Sequence, residues 1–167
     1  EADGVLANYS HDGGRISVIV DASTAVVNDE IREAIRNIAM QVAALSAEYV
    51  DVADVSEEKK AHEKEILMAN IIKENEELPE EKRKPQQILE KQLIGRLNKE
   101  LKEICLNDQI YVKAEDGKQT VAQYLAEVGK KNGTEIKIRK FVRWEVGEGM
   151  EHRQENFAEE VMKQAQG

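Results

Sequence analysis

Two highly charged segments, joined by a loop with a proline at each end, constrain the fold of this chain most strongly. The second segment begins after Pro85 and repeats a leucine or isoleucine at steps of four, four, four and three. This spacing places the apolar side chains on one narrow stripe of an α-helix, which a second helix can cover. Pro79 and Pro85 interrupt helix on both sides of the loop. We therefore predict an antiparallel coiled-coil hairpin over residues 56–104. The repeated positions are Leu89, Leu93, Leu97, Leu101 and Ile104.

The first helix of this hairpin is predicted to begin at Ser56, because serine caps helix N-termini and Glu57 and Glu58 suit the positive end of the helix dipole. It extends to about Glu77 and has a narrow apolar seam. Such a seam can hold two helices together but offers little further apolar surface. We expect the hairpin to project into solvent as an insertion. The predicted seam positions are Ile66, Ala69 or Asn70, and Ile72 or Lys73.

Strand and helix patterns precede the hairpin. Residues 11–14 carry a turn signal, and the alternation that follows predicts a strand over residues 15–21, paired in a hairpin with residues 4–9. Asn28 is a plausible helix cap. After it, apolar residues recur at steps of three and four as far as Leu45, which predicts a slim amphipathic helix lying on a sheet.

After the hairpin, residues 108–113 read as a short strand, and Thr120 caps a further helix. Residues 135–146 read as the clearest strand. Ile136, Ile138, Val142, Trp144 and Val146 share one parity there, so they are predicted to share one face. The alternation breaks at residues 140–141, which indicates a bulge or a change of burial. Residues 151–164 are predicted to form a last helix.

These elements predict an α+β fold, with a small antiparallel sheet covered by helices, an inserted antiparallel coiled-coil hairpin and a C-terminal helix. The predicted core subdomain is discontinuous and comprises residues 1–55 and 105–149. The hairpin of residues 56–104 is inserted into it. Residues 150–167 form a C-terminal helical module.

Charge and composition restrict the classes of partner. The net charge of −9 argues against nucleic acid, because phosphate binding depends on clustered lysine and arginine. No apolar run is long enough to span a membrane. The only cysteine, Cys105, excludes an internal disulfide, so we expect a cytoplasmic protein. The first residue is Glu1, from which we expect an excised fragment of a longer chain.

The sequence offers little for catalysis or metal binding. His11, His62 and His152 each lack a second ligand at metal-binding spacing. Cys105 is better explained as a small buried hydrophobe than as a nucleophile. We therefore predict no catalytic residue, no metal, no cofactor and no small-molecule substrate, and the chain is not expected to be an enzyme.

Two charged segments leave alternatives open. His11 and Arg15 flank the turn at a sheet corner, where they could anchor a protein partner or belong to a solvated turn. The basic residues 82–84 at the hairpin tip could contact RNA or an acidic protein, although solvation explains them as well.

Several segments match one family in a shared order. Residues 8–18 (Asn-Tyr-Ser-His-Asp-Gly-Gly-Arg-Ile-Ser-Val) are similar to a Tyr-x-His-Gly-Gly-Gly-Arg-Ile-Gly-Val pattern, with Asp12 and Ser17 in place of glycines. Residues 38–44 (Ile-Ala-Met-Gln-Val-Ala-Ala) match Ile-Ala-Met-His-Val-Ala-Ala. Residues 94–112, 118–125 and 141–149 continue the match. Together they resemble elongation factor Ts across nearly the whole chain.

This resemblance implies a guanine-nucleotide exchange factor that binds elongation factor Tu and promotes GDP release. By position, the residues that resemble contacts to the third domain of Tu are His11, the turn around Gly13, Tyr111 and Val112. Arg15 flanks the turn around Gly13. Phe157 resembles part of a contact to the nucleotide domain. The family's Thr-Asp-Phe-Val motif, which helps to expel GDP, does not occur in this sequence. We therefore expect a fragment that binds Tu but exchanges nucleotide poorly.

Two questions stay open from the sequence. A homodimer is not excluded. The alternative function is a non-catalytic interaction or chaperone module that works through its coiled-coil hairpin.

Overall fold

The computed structural model describes residues 4–147, which divide by their contacts into two compact units. The first unit contains residues 4–45 and 132–147, and the second contains residues 46–131. The division predicted from the sequence, at residues 55, 104 and 149, stays a prediction. None of the helices within residues 4–147 is both long and apolar enough to cross a membrane.

A three-stranded antiparallel sheet forms one layer of the first unit, which together with the helices confirms the predicted α+β class. Its strands are β1 (Gly4–His11), β2 (Ile16–Ser23) and β3 (Lys137–Glu145), with β2 in the middle. β1 and β2 form the predicted hairpin, which ends at the pair of His11 and Ile16.

Helix α1 (Asp29–Leu45) packs against β1 and β2 and buries one face of the sheet. The Asn28 side-chain oxygen accepts the backbone N–H of Ile31 at 2.9 Å, so the predicted cap is confirmed. The apolar stripe of α1 is buried except at its last position, Leu45, which is 45% exposed; its other members and the inward residues of β2 are at most 1% exposed and form the core of this unit. These side chains are Ile31, Ile35, Ile38, Val42, Val18, Val20 and Ala22.

A bulge interrupts β3, as the broken alternation predicted. Asp21 pairs with Lys140, whereas the next residue of β2 pairs with Ile138, so Arg139 is the extra residue. An extra residue reverses the side-chain parity beyond it. The predicted shared face is therefore wrong: Ile138 is buried, but Val142 and Trp144 are 46% and 49% exposed on the opposite face.

The second unit contains the predicted helical hairpin, formed by α2 (Glu57–Glu76) and α3 (Gln86–Ile104). The Ser56 hydroxyl accepts the backbone N–H of Lys59 at 3.1 Å, which confirms the cap. The predicted seam of α3 is also confirmed, because Leu89, Leu93 and Leu101 are buried.

The seam predicted for α2 is wrong. Leu67 and Ile71 face α3 and are buried, whereas Ile66 and Ile72 are 44% and 40% exposed. Because α2 has apolar residues on more than one side, its sequence alone does not define which side meets α3.

At the hairpin tip, the side chain of Arg83 donates to the carbonyl oxygens of Glu76 and Leu78, each at 3.1 Å. A cation there satisfies carbonyl groups at the negative end of α2. Arg83 is therefore engaged within the tip, which favours a structural role over RNA binding for this residue.

Helix α4 (Val121–Lys131) begins at a reciprocal cap. The Thr120 hydroxyl accepts the backbone N–H of Gln123 at 3.2 Å, and the Gln123 side chain accepts that of Thr120 at 3.0 Å. The strand predicted over residues 108–113 is wrong. A single bridge joins Ile110 to Thr120, because the chain turns away before a second pair forms.

Candidate docking site

The turn between β1 and β2 has an unusual backbone. Asp12, Gly13 and Gly14 have φ angles of 52°, 66° and 92°, all in the region that favours glycine. Aspartate is one of the few other residues that tolerates this conformation, which explains how a residue with a side chain can stand at position 12. A side chain added at Gly13 or Gly14 would meet no atom within 4 Å. The turn is therefore open to approach from solvent.

Two of the predicted anchors flank this turn. His11 is exposed, and its ring Nδ1 lies 3.0 Å from the hydroxyl of Tyr9. The Arg15 side chain is 64% exposed, with the nearest Asp12 oxygen 3.9 Å away. The Arg15 carbonyl oxygen accepts the backbone N–H of Val146 at 2.7 Å, which ties the turn to the end of β3. His11, Gly13 and Arg15 thus lie together on one supported corner.

Two other predicted anchors, Tyr111 and Val112, lie in the second unit. Tyr111 is only 5% exposed and stacks on Tyr124, with ring centroids 4.1 Å apart and an angle of 13° between the rings. Its ring is therefore mainly a packing element. Val112 is 44% exposed and Ile110 is 45% exposed, so these two present apolar surface. Ile110 was not predicted as a contact.

Phe157 and the predicted helix of residues 151–164 lie outside the described residues, and so does His152.

Residues 4–147 contain no group of three or more histidine, cysteine, aspartate or glutamate side chains that could hold a metal ion. Cys105 is fully buried, and its burial raises the pKa of its thiol to about 11, with the carboxylates of Asp108, Asp51 and Asp54 adding to the effect. A thiol that is buried and protonated at neutral pH is a poor nucleophile. The prediction of a buried hydrophobe at Cys105 is confirmed.

At pH 8 we expect iodoacetamide to react with Cys105 at least about 100-fold more slowly in the native chain than in the unfolded chain. The raised pKa keeps the native thiol protonated, and the fold encloses it. Mass spectrometry of the alkylated protein, with and without urea, measures both rates. Similar rates in the two states would show that the thiol is not enclosed.

A cavity of about 280 Å³ at the base of the hairpin is lined by more carboxylates than cations. Burial raises the pKa of Glu100 most, and the neighbouring carboxylates of Glu63 and Glu103 raise it further, whereas the ammonium group of Lys59 lowers it. Lys59 lies 3.2 Å from a Glu63 oxygen. The folded second unit therefore holds Glu100 less favourably as a carboxylate than the unfolded chain does.

Because the folded pKa of Glu100 is raised, its carboxylate destabilises the unit at neutral pH, and this cost disappears as the pH falls toward the ordinary value of 4.5. We expect Glu100→Gln to raise the free energy of unfolding at pH 7 by about 0.5 kcal/mol, since the group is mostly hydrated. Urea titrations at pH 7 and pH 4.5 test this, with Glu90→Gln as the control on the same helix. An equal effect at both pH values would contradict it.

Two apolar surfaces escaped the sequence analysis. On the sheet face opposite α1, Ile19 pairs with Val142, and Trp144 follows on the same strand. On one side of the hairpin, Met68 and Ile72 of α2 and Leu93 and Ile94 of α3 line an open groove of about 720 Å³. The first surface was not predicted because the bulge in β3 moves Val142 and Trp144 to the face opposite Ile138. The second was not predicted because the wrong residues of α2 were assigned to its contact with α3.

Within residues 4–147, the exposed turn at residues 11–15 thus lies at one corner of the three-stranded sheet of an α+β fold, where the hydrogen bond between Val146 and Arg15 holds it. The family model for Elongation factor TS matches residues 1–148. The chain therefore belongs to the elongation factor Ts family.

Curated relatives agree. The chain is 45% identical over 162 residues to Elongation factor Ts of Clostridioides difficile. The matched region covers 97% of this chain and 50% of the relative. It is 44% identical over 170 residues to Elongation factor Ts of Acetivibrio thermocellus, covering 99% and 74% respectively. The protein of Desulforamulus reducens is 41% identical over 167 residues. The chain thus spans about half the length of the first relative and about three quarters of the second.

Proposed function

We propose that this chain binds elongation factor Tu and promotes GDP release by preferring the nucleotide-free form. The observation that carries the proposal is the open turn at residues 11–15, held at a sheet corner in a chain of the elongation factor Ts family. Val112 and Ile110 supply a second, apolar patch. Such a factor acts in the cytoplasm, where translation takes place.

Exchange of this kind is a coupling between two binding equilibria. A protein that binds empty Tu more tightly than GDP-loaded Tu must weaken GDP binding by the same factor. No proton transfer or covalent step is required, which agrees with a role that is not enzymatic. The open turn at residues 11–15, which we call the docking corner, supplies affinity for Tu. The ratio of the affinities for empty and GDP-loaded Tu sets the degree of exchange.

The release of a fluorescent GDP analogue from Tu tests this proposal. We expect the chain to accelerate release only weakly, because the Thr-Asp-Phe-Val motif is absent from its sequence, while binding empty Tu stably. A longer family member that carries the motif is the positive control. Equal acceleration of GDP release by both proteins would contradict the proposal that this chain supplies binding to Tu while the Thr-Asp-Phe-Val motif helps to expel GDP.

The apolar groove of the hairpin favours a second candidate function, in which the hairpin itself binds a protein. Replacing residues 64–96 with a short Gly-Ser linker removes the groove but retains the base of the hairpin, where Leu101 and Cys105 pack with Val55. Binding to Tu should survive this deletion under the main proposal. Loss of all binding would favour the second candidate.

The exposed face around Ile19, Val142 and Trp144 favours a homodimer, since a second copy could cover it by packing sheet on sheet. Sedimentation equilibrium tests this with the wild-type chain and with Val142→Lys. A concentration-dependent dimer that the substitution abolishes supports it. A wild-type monomer at all concentrations contradicts it.

A further inference from the structure

The side chains of Tyr9 and His11 form a pair on β1. They stand two residues apart on one strand, so they project from the same face of the sheet. Their ring centroids are 6.1 Å apart with an angle of 23° between the rings. The Tyr9 hydroxyl oxygen lies 3.0 Å from Nδ1 of His11. Stacking and the hydrogen bond together restrict the orientation of the imidazole.

The two residues differ in how firmly they are held. Tyr9 is partly buried and pairs across the strands with Val18, which is 1% exposed. His11 is exposed and lies next to the open turn. The better-packed tyrosine can therefore serve as the fixed support, and the histidine as the group that meets a partner.

The direction of the hydrogen bond at Nδ1 decides what His11 offers at its other nitrogen, since the Tyr9 hydroxyl can donate to an unprotonated Nδ1 or accept from Nδ1–H. A phenol hydroxyl can donate its proton to an unprotonated Nδ1, and a neutral imidazole then carries its proton on Nε2. Within residues 4–147, no other group bonds to Nε2 of His11. The pair then presents an N–H donor of fixed direction beside the turn.

We propose that Tyr9 is a positioning residue that holds His11 as the Nε2–H tautomer, so that Nε2–H donates to a carbonyl or carboxylate oxygen on the partner protein. This inference rests on the proposed binding of elongation factor Tu. It adds the chemistry of the contact: His11 acts as a hydrogen-bond donor with a direction fixed in advance. Fixing a contact before binding reduces the ordering cost of association.

Tyr9→Phe tests the inference because it removes one oxygen atom and retains the ring that packs near Val18. We expect the midpoint of thermal unfolding to stay unchanged and the affinity for empty Tu to fall about threefold to tenfold, as for loss of one supporting hydrogen bond. Tyr49→Phe is the matched control, since it removes the same atom from the second unit. The control should leave the affinity unchanged.

Nitrogen-15 NMR of the imidazole ring provides a readout that loss of packing alone would not change. The His11 signals are assigned by their disappearance in His11→Gln. In the wild-type chain we expect a strong excess of the Nε2–H form at a pH where the ring is neutral, and in Tyr9→Phe a more even mixture of the two tautomers. An Nδ1–H form in the wild-type chain overturns the inference.

The outcomes separate this inference from the proposed function. Binding of wild-type chain and Tyr9→Phe with equal affinity overturns the role of Tyr9 but leaves the proposed function standing. Failure of the wild-type chain to bind Tu overturns both. A loss of affinity accompanied by the tautomer change supports both.

Discussion

Replacement of Ile38 by alanine is expected to lower the free energy of unfolding by about 3 kcal/mol, the typical cost of removing a large aliphatic side chain from a packed core. Ile38 is 0% exposed and lies in the centre of α1, the helix that covers β1 and β2. No solvent can replace the contacts that it loses, so the cavity term adds to the transfer term. Urea denaturation followed by circular dichroism measures the change.

Ile94→Ala is the control for Ile38→Ala, because Ile94 is 59% exposed on α3 and the same atoms are removed. We expect this change to cost less than about 0.5 kcal/mol, as is usual for exposed positions. A cost below about 1 kcal/mol for Ile38→Ala would contradict the packing of α1 on the sheet.

Replacement of His11 by alanine is expected to weaken binding to elongation factor Tu about 10-fold to 100-fold, which corresponds to about 1.4–2.8 kcal/mol. The substitution removes an exposed ring whose orientation is set by Tyr9, and it should leave the fold intact. Isothermal titration calorimetry with nucleotide-free Tu measures the affinity, and the unfolding midpoint confirms that the variant is folded.

His62→Ala is the matched control for His11→Ala, since His62 is an exposed histidine on α2. It should bind Tu with wild-type affinity. If both substitutions weaken binding equally, the hairpin contributes as much as the docking corner, and the second candidate function gains support. If neither weakens binding, His11 is not an anchor.

The features that could be predicted from the sequence are those fixed by neighbouring residues. The caps at Asn28, Ser56 and Thr120 each satisfy a backbone N–H three residues ahead, so their chemistry is local. The leucine stripe of α3 is unambiguous for the same reason. The turn itself was also predicted, because Asp12, Gly13 and Gly14 are residue types that tolerate left-handed backbone.

The features that were missed depend on contacts distant in sequence. A bulge in β3 was predicted, but its position at Arg139 follows from the pairing with β2, and the ion pair of Arg139 with Asp21 at 2.9 Å helps to hold it. Alternation within β3 alone cannot show which residues lie beyond the bulge. On α2, the choice of Leu67 over Ile66 as the seam follows from the position of α3.

The candidate site was predicted only in part, for a similar reason. The resemblance named Tyr111 and Val112 as contacts, which stays a prediction; stacking on Tyr124 encloses the Tyr111 ring, whereas Val112 and the unpredicted Ile110 are exposed. The resemblance also named His11 without its support from Tyr9. Residues two apart on a strand share a face, and this spacing is the signal that could have identified the pair.

The affinity of the wild-type chain for elongation factor Tu, measured in parallel with the nucleotide-free and the GDP-loaded protein, tests the central claim most directly. The account predicts clearly tighter binding to nucleotide-free Tu, because only a difference in affinity can promote release of GDP. Equal affinity for the two forms, or no binding to either, would contradict it.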